Sequence, residues 1–422
     1  MTHHIHHLVD QLLLEQGEYR PLEFLLQEGR LSYADYEAWR NGELDFLDEA
    51  LFGDPDHIQQ DLLQAEEYLQ RRGWQAETLS YEAWRRHAQA GSRPLRFSAN
   101  TNHDARFHRR YRKPEDQPQL DLFSDAPATT LLNGITRALI DRNPPEARRQ
   151  LERLYETAPD HIRLGELERL VEAAEGLNSP VSDATADLHA LQQTLTPLAE
   201  GLLGKDSRNL LIPLWRRLSG ALRDQPYRST EPELHLSYTA GRALDWEAVR
   251  RAVEQEPRWR TDAVLLLRHA QACDQLHQQA EALASWFELC WRFPAQGDAL
   301  ASIGNHELRR QWTAYLDLDP ELPVQSFPAW LLLSKPGLTN ILPDPDNHSR
   351  AARGTGDGVT ACPASYRTLY RLQHDRVQAH AERGTNDTMA LRARLKQQDP
   401  VLFQYFLQFT THRLRFDVLR DA

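Results

Sequence analysis

The chain has 422 residues, 41% hydrophobic and 26% charged, as soluble globular proteins do, and its length leaves room for two or three domains. No apolar run approaches the roughly 18 residues that a membrane helix needs, and a net charge of −12 argues against non-specific nucleic-acid binding by the whole surface. Three cysteines, Cys273, Cys290 and Cys362, are odd in number and lack CxxC spacing, so a reducing, cytoplasmic setting is expected rather than a disulfide framework.

The start, MTHHIHHLVDQLLLEQGEYR, has no basic flank leading into a long apolar core, so no signal peptide is expected. Residues 1–91 read as a domain of short, well-punctuated helices. In DPDHIQQDLLQAEEYLQRRG, Asp54 is a candidate N-cap, Pro55 takes the first helical position and Gly73 is a stop. Ile58, Leu62, Leu63, Tyr68 and Leu69 fall roughly on one helical face. PLEFLLQEG and LDFLDEALFG are similar and shorter, each ended by glycine. Tyr-Glu-Ala-Trp-Arg occurs twice, at residues 36–40 and 81–85, which predicts two similar helices with core tryptophans or a duplicated helical unit.

Residues 92–127 lack sustained helical periodicity and are expected to form a linker or arm. The charge here is concentrated: residues 85–113 hold nine Lys/Arg against one acid, Asp104. Within RFHRRYRK, Phe107 and Tyr111 interleave with Arg106, Arg109, Arg110, Arg112 and Lys113. Cations of this kind select phosphates and aromatic rings stack on unpaired bases, so the arm is a candidate DNA contact. The alternative is an arm that pairs with the protein's own acidic surface.

From residue 128 to 332 helical hairpins dominate. LLNGITRALIDRNPPEARRQLERLYETAPD reads as helix, Asn-Pro-Pro break, helix and proline stop, with Ala147, Leu151 and Leu154 preceding Pro159. LLLRHAQACDQLHQQAEALASWFELCWRFP repeats that layout with Ala282, Trp286, Leu289 and Pro294, and AGRALDWEAVRRAVEQEP is a looser third copy. This spacing resembles the second helix of a tetratricopeptide repeat, over two to three hairpins. The resemblance implies a stacked solenoid, since each hairpin has an apolar face that only a neighbour can cover. Residues 333–364 interrupt the pattern with Gly, Pro and Asp. A last helical region, 365–422, ends in DPVLFQYFLQFTTHRLRF, where Asp399-Pro400 starts an aromatic helix that reads as a terminal cap. No strand alternation persists, so the expected fold class is all-α: a short-helix N-terminal domain, an extended basic arm, a tetratricopeptide-like α-solenoid and a helical cap.

No catalytic pattern stands out. His3, His4, His6 and His7 cluster near the terminus without a Cys or carboxylate set to complete a metal site. Cys273 and His277, four apart on an expected helix, have no second pair nearby. Gly354, Gly356 and Gly358 lack the Lys-Ser/Thr of a phosphate-binding loop, and there is no Gly-x-Ser-x-Gly or His-Glu-x-x-His. The expectation is a protein without catalytic residues, metal or cofactor.

One stretch is out of place in a linker. KPEDQPQLDLFSDAP sets Leu120, Leu122 and Phe123 among three prolines, which disfavour a regular helix. Gln119, Leu120, Asp121, Leu122 and Phe123 resemble the short peptide by which bacterial polymerases and repair proteins dock on the sliding clamp. All five positions match the pattern Gln, Leu, Ser or Asp, Leu, Phe. The resemblance implies that Gln119 hydrogen-bonds the clamp, that Leu122 and Phe123 enter an apolar pocket, that Leu120 makes a smaller contact and that Asp121 stays at the polar edge. An extended pentapeptide spans about 17 Å, and burying a Leu or Phe stabilises by about 1.5–3 kcal/mol, offset by the cost of ordering the segment. The expected function is a non-enzymatic adaptor that docks on the clamp and recruits a protein partner to DNA replication or repair machinery. The alternative is a tetratricopeptide-like scaffold unrelated to DNA, its arm packed on its own surface.

Overall fold

Helices carry most of the chain in the computed structural model, which describes residues 2–84, 94–113, 127–345, 362–378 and 385–420. They fall into two compact units, Met1–Asp224 with Arg242–Leu244, and Gln225–Gly241 with Asp245–Ala422. The first unit therefore includes both the short-helix region and the first hairpins.

In the first unit, α1 (Thr2–Gln16) buries Ile5, Val9 and Leu12, one face of a 3.6-residue period, and breaks at Gly17, where φ is +70°. The histidine-rich start lies within this helix, and His6 stacks on Tyr68 at 4.1 Å. Next come β1 (Glu18–Tyr19), α2 (Pro21–Gln27) and α3 (Tyr33–Arg40), the last capped by Ser32, which accepts from the Asp35 amide. LDFLDEALFG forms only a 3₁₀ turn, Asp48–Ala50, rather than a helix. Helix α4 (Pro55–Arg71) starts as its sequence predicts, Asp54 accepting from the amides of Asp56 and His57.

The mostly helical fold agrees with the all-α expectation and includes one small sheet. Strands β2 (Gln75–Thr78) and β3 (Arg109–Arg112), the latter preceded by α5 (Thr101–Phe107), pair antiparallel with each other and with β1 in the order β1-β3-β2. Tyr111 lies opposite both Tyr19 and Ala76. Strands of two to four residues are too short to show alternation, and β2 is exposed along its whole length. Part of the stretch expected as a linker is therefore the central strand of a small sheet.

The two Tyr-Glu-Ala-Trp copies face each other. Only the first is helical; residues 81–84 run without helix, and Arg85 lies outside the described residues. Tyr36 meets Trp84 edge-on at 5.8 Å and Trp39 meets Tyr81 at 5.4 Å, so each tyrosine contacts the other copy's tryptophan. Trp39, Phe97, Phe107 and Tyr111 fill the core beside them.

The first unit continues with α6 (Pro127–Ile140) and α7 (Pro144–Thr157), a tightly packed hairpin, and α8 (Leu164–Glu175). Helix α9 (Ala184–Ala190) passes through a π-helical turn, Leu191–Leu195, into α10 (Thr196–Leu203). Helix α11 (Arg208–Ala221) closes the unit and sends Ile212 into the N-terminal core.

The second unit holds α12 (Leu236–Arg242), α13 (Trp246–Gln255), α14 (Ala263–Gln275), α15 (Gln279–Arg292), α16 (His306–Leu316), α17 (Phe327–Ser334), α18 (Ala364–Gln378), α19 (Thr385–Gln398) and α20 (Pro400–Arg420). Its core runs from Leu266 and Trp286 through Trp312, Phe327 and Trp330 to Leu402, Tyr405 and Phe406. Asp399 caps α20 by accepting from the Leu402 amide at 2.9 Å, and the aromatic helix packs into this core.

Three hairpins share one turn. Arg142, Leu244 and His277 each adopt positive φ (51°, 57° and 56°) at the centre of the α6–α7, α12–α13 and α14–α15 connections. The next residue then donates its amide back across five residues: Asn143 to Ala138, Asp245 to Ala240, Gln278 to Cys273, all at 2.8–2.9 Å. The small and large residues singled out in the second helices, Ala147, Leu151, Leu154, Ala282, Trp286 and Leu289, are all buried.

Candidate functional site

Gln119, Leu120, Asp121, Leu122 and Phe123 lie outside the described residues, as do Gly354, Gly356 and Gly358. What the structure does describe is both ends of the motif-bearing segment. Strand β3 delivers the chain at Arg112 and Lys113, α6 takes it up at Pro127, and both belong to the first unit.

The basic block is built into the fold. Phe107 stacks face to face on Phe97 at 3.9 Å and is 1% exposed; Tyr111 is fully buried. Neither ring is offered to a base, which corrects the stacking expectation: strand β3 turns Tyr111 into the core while its neighbours face outward. The arginines are engaged by the protein's own carboxylates. Arg106 donates to Glu66 at 3.1 Å and Arg109 lies 3.8 Å from it; Arg110 pairs with Glu77 and Arg112 with Glu18, each at 2.7 Å. Lys113 is exposed. Three carboxylates from elsewhere in the first unit, Glu18, Glu66 and Glu77, thus meet four of the block's arginines, while Arg85, Arg86 and Arg93 lie outside the described residues.

A second charge cluster, unmarked in sequence, joins α3 to the helices that follow. Glu37, 8% exposed, takes Arg216 at 2.7 Å and also Arg142, whose guanidinium sits 4.0 Å above the Trp84 ring. Burial alone would raise the Glu37 carboxyl, but hydrogen bonds and charge from Arg216 and Arg142 outweigh it and hold the group below the ordinary carboxylate range. Around it, Arg40 reaches Asp141 at 3.0 Å, Arg208 chelates Glu23 with both terminal nitrogens, and Tyr33 donates to Asn209 at 2.9 Å. The residues come from positions more than 100 apart, so no local motif announces them. Chemically this is a closed set of ion pairs that fastens α3 to α6–α7 and α11.

In the second unit His269 lies between Ser285, 2.8 Å from Nδ1, and Glu254, 3.3 Å from Nε2. Serine, histidine and carboxylate in line have the connectivity of a nucleophilic triad. Ser285 is 1% exposed and His269 4%, so a substrate cannot reach the hydroxyl, and the cluster serves to tie α13, α14 and α15 together. Cys273 lies 3.7 Å from His269, its thiol pushed up to about 12 by burial, so it supplies no thiolate near neutral pH. His277, four residues on, sits on the turn after α14 rather than on the helix itself. Among the described residues no three His, Cys, Asp or Glu side chains are arranged to hold a metal ion.

A groove of about 390 Å³ follows the π-helical turn in the first unit. Leu191, Thr194 and Leu214 line it together with Arg169 and the Arg217–Asp187 pair. Comparison of the chain with protein-family models, with curated proteins and with solved structures returned no match.

Proposed function

We propose that the protein is an adaptor that docks on a bacterial-type sliding clamp through Gln119, Leu120, Asp121, Leu122 and Phe123, bringing a protein partner to DNA replication or repair machinery. The observation that carries this reading is the five-position match to the clamp-docking peptide, flanked by Pro114, Pro118 and Pro127. The motif-bearing segment is held at both ends within one compact unit, by β3 and by α6, which supports display of a peptide from a fixed base. Phosphate contact through Arg106, Arg109, Arg110 and Arg112 is not part of the proposal, because those side chains are engaged by Glu66, Glu77 and Glu18.

A second reading, a tetratricopeptide-like scaffold without a link to DNA, is favoured by the turn that recurs in three hairpins. Fluorescence polarisation separates the two. A labelled peptide covering residues 115–126 is titrated with a bacterial sliding clamp beside a Leu122→Ala/Phe123→Ala control. Binding in the micromolar range, roughly −8 kcal/mol, that is lost in the control supports docking. Absence of binding at about a hundredfold higher concentration, on the order of 0.1 mM, removes the clamp and leaves the scaffold.

A further inference from the structure

The chain between α11 and α12 is irregular, yet two aromatic rings in it are pinned to the helices of the second unit. Tyr227 donates its amide to Glu256 Oε1 at 3.1 Å and its hydroxyl to Asp262 Oδ1 at 3.1 Å. Its ring meets that of His235 edge-on at 5.5 Å. His235 is 2% exposed, immediately before α12, with Nε2 3.4 Å from the same Glu256 oxygen. Arg268 of α14 reaches back to the Pro232 carbonyl at 2.8 Å and to Ser237 Oγ at 3.0 Å.

These contacts fix the protonation state of the imidazole. The Ser237 amide, which can only donate, points at His235 Nδ1 from 3.3 Å. Ser237 Oγ lies 2.8 Å from the same nitrogen and accepts from Arg268, which leaves its own hydrogen available to Nδ1. Nδ1 is therefore an acceptor and Nε2–H donates to Glu256. The imidazole does what an N-cap carboxamide does at a helix start, which it can do only while neutral. A proton on Nδ1 would face the Ser237 amide hydrogen and the Arg268 cation at once.

We propose that His235 is a neutral-only latch, and that its protonation releases residues 227–241 from α13 and α14. The groups around it act in opposing senses. Glu256 at the end of α13 favours the imidazolium, Arg268 of α14 opposes it, and Tyr227 covers the ring from the irregular segment. Glu233, Asp262 and Tyr238 act through Arg268. Burial first, then Arg268, outweigh Glu256 and lower the His235 value below the ordinary 6.5. A folded value below the unfolded one means that the latch is fully set above about pH 6.5. It weakens as pH falls below that, by up to tenfold in the opening equilibrium per pH unit until the folded value is passed.

The test is hydrogen–deuterium exchange of the full chain at pH 7.4 and 5.4, corrected for intrinsic exchange rates. The expected result is a loss of protection approaching tenfold in peptides from residues 227–241, with peptides from α17 unchanged. In His235→Asn the carboxamide oxygen still accepts from the Ser237 amide and does not titrate, so the acid effect should vanish. A segment that stays protected at pH 5.4, or a variant that opens on acidification as the wild type does, overturns the proposal. If the variant does not fold, the wild-type pH profile decides. A one-proton transition with its midpoint below 6.5 and above the carboxylate range supports the latch; a transition confined below about pH 4.5, or none, overturns it.

Discussion

Arg40 and Trp84 are joined twice: the Trp84 amide donates to the Arg40 carbonyl at 2.6 Å, and the Arg40 guanidinium lies 4.7 Å from the centre of the Trp84 ring. The same guanidinium donates to Tyr36 Oη at 3.0 Å, to the Glu82 carbonyl at 3.2 Å and to Asp141 at 3.0 Å. One side chain thus bonds its own helix, the second pentapeptide copy and the α6–α7 turn. Arg40→Ala should cost about 2–3 kcal/mol, because the buried Tyr36 hydroxyl and the Glu82 carbonyl lose their donor and Asp141 loses its partner. Arg40→Lys should recover little of that, since an ammonium cannot span three acceptors in one plane. Urea unfolding midpoints check both, and a loss under about 0.5 kcal/mol in Arg40→Ala would contradict the role given to it.

Glu37 makes the first unit sensitive to acid. Its carboxyl sits below the ordinary 4.5 in the folded state, so its contribution is whole above that pH and is lost as pH falls through the folded value. Glu37→Gln should lower stability at pH 6 by about 1–3 kcal/mol and flatten the decline between pH 5 and 3. Denaturation series of both proteins at several pH values show whether the curves converge in acid. Parallel curves would mean that Arg142 and Arg216 do not act through this carboxylate.

Glu66 behaves in the opposite way. Burial raises its carboxyl above the ordinary value despite Arg106 and Arg109. Removing the nearer partner in Arg106→Ala leaves a carboxylate 5% exposed with weakened compensation, so the variant should be destabilised by about 2–4 kcal/mol near pH 7. A carboxyl with a raised folded value takes up its proton more readily in the native state, so the deficit should shrink as pH falls toward 5. A deficit that grows in acid would rule this out.

Cys273 and Cys290 are buried and their thiols are pushed up, the first to about 12 and the second further. In the native protein at pH 8, both should react with a disulfide reagent far more slowly than a free thiol, and react fully in denaturant. Rapid native labelling at either position, located by peptide mass, would show that α14 and α15 open readily.

Much of the helical content was readable because it rests on local chemistry. Asp54-Pro55 and Asp399-Pro400 cap where their sequences predict, and Ala282, Trp286 and Leu289 are buried at the positions that their spacing marks. The sheet was not readable, since Arg109-Arg110-Tyr111-Arg112 holds a single core residue and owes its conformation to partners at Gln75–Thr78 and Glu18–Tyr19. Nor were the shared turns, where Arg142, Leu244 and His277 adopt a conformation that glycine or asparagine usually announces. The candidate site divides in the same way. A contiguous peptide such as residues 119–123 can be found by reading, whereas Glu37, Arg142 and Arg216 meet only after folding. The charge of residues 85–113 misled for a related reason: sequence counts charges, and Glu18, Glu66 and Glu77 cancel several of them from elsewhere in the chain.

The π-helical turn at Leu191–Leu195 has a mechanical meaning. Such a turn is an α-helix that holds one residue too many, with the helix on either side kept in phase. Deleting one residue within it should close the wide turn into ordinary helix and leave α9 and α10 facing their present neighbours. The same deletion in α7 or α15 would rotate everything beyond it by about 100° and turn the buried stripe toward solvent. The length of the α9–α10 rod can therefore change by one residue without a change in what it presents, and the groove beside the turn is where that change would be felt.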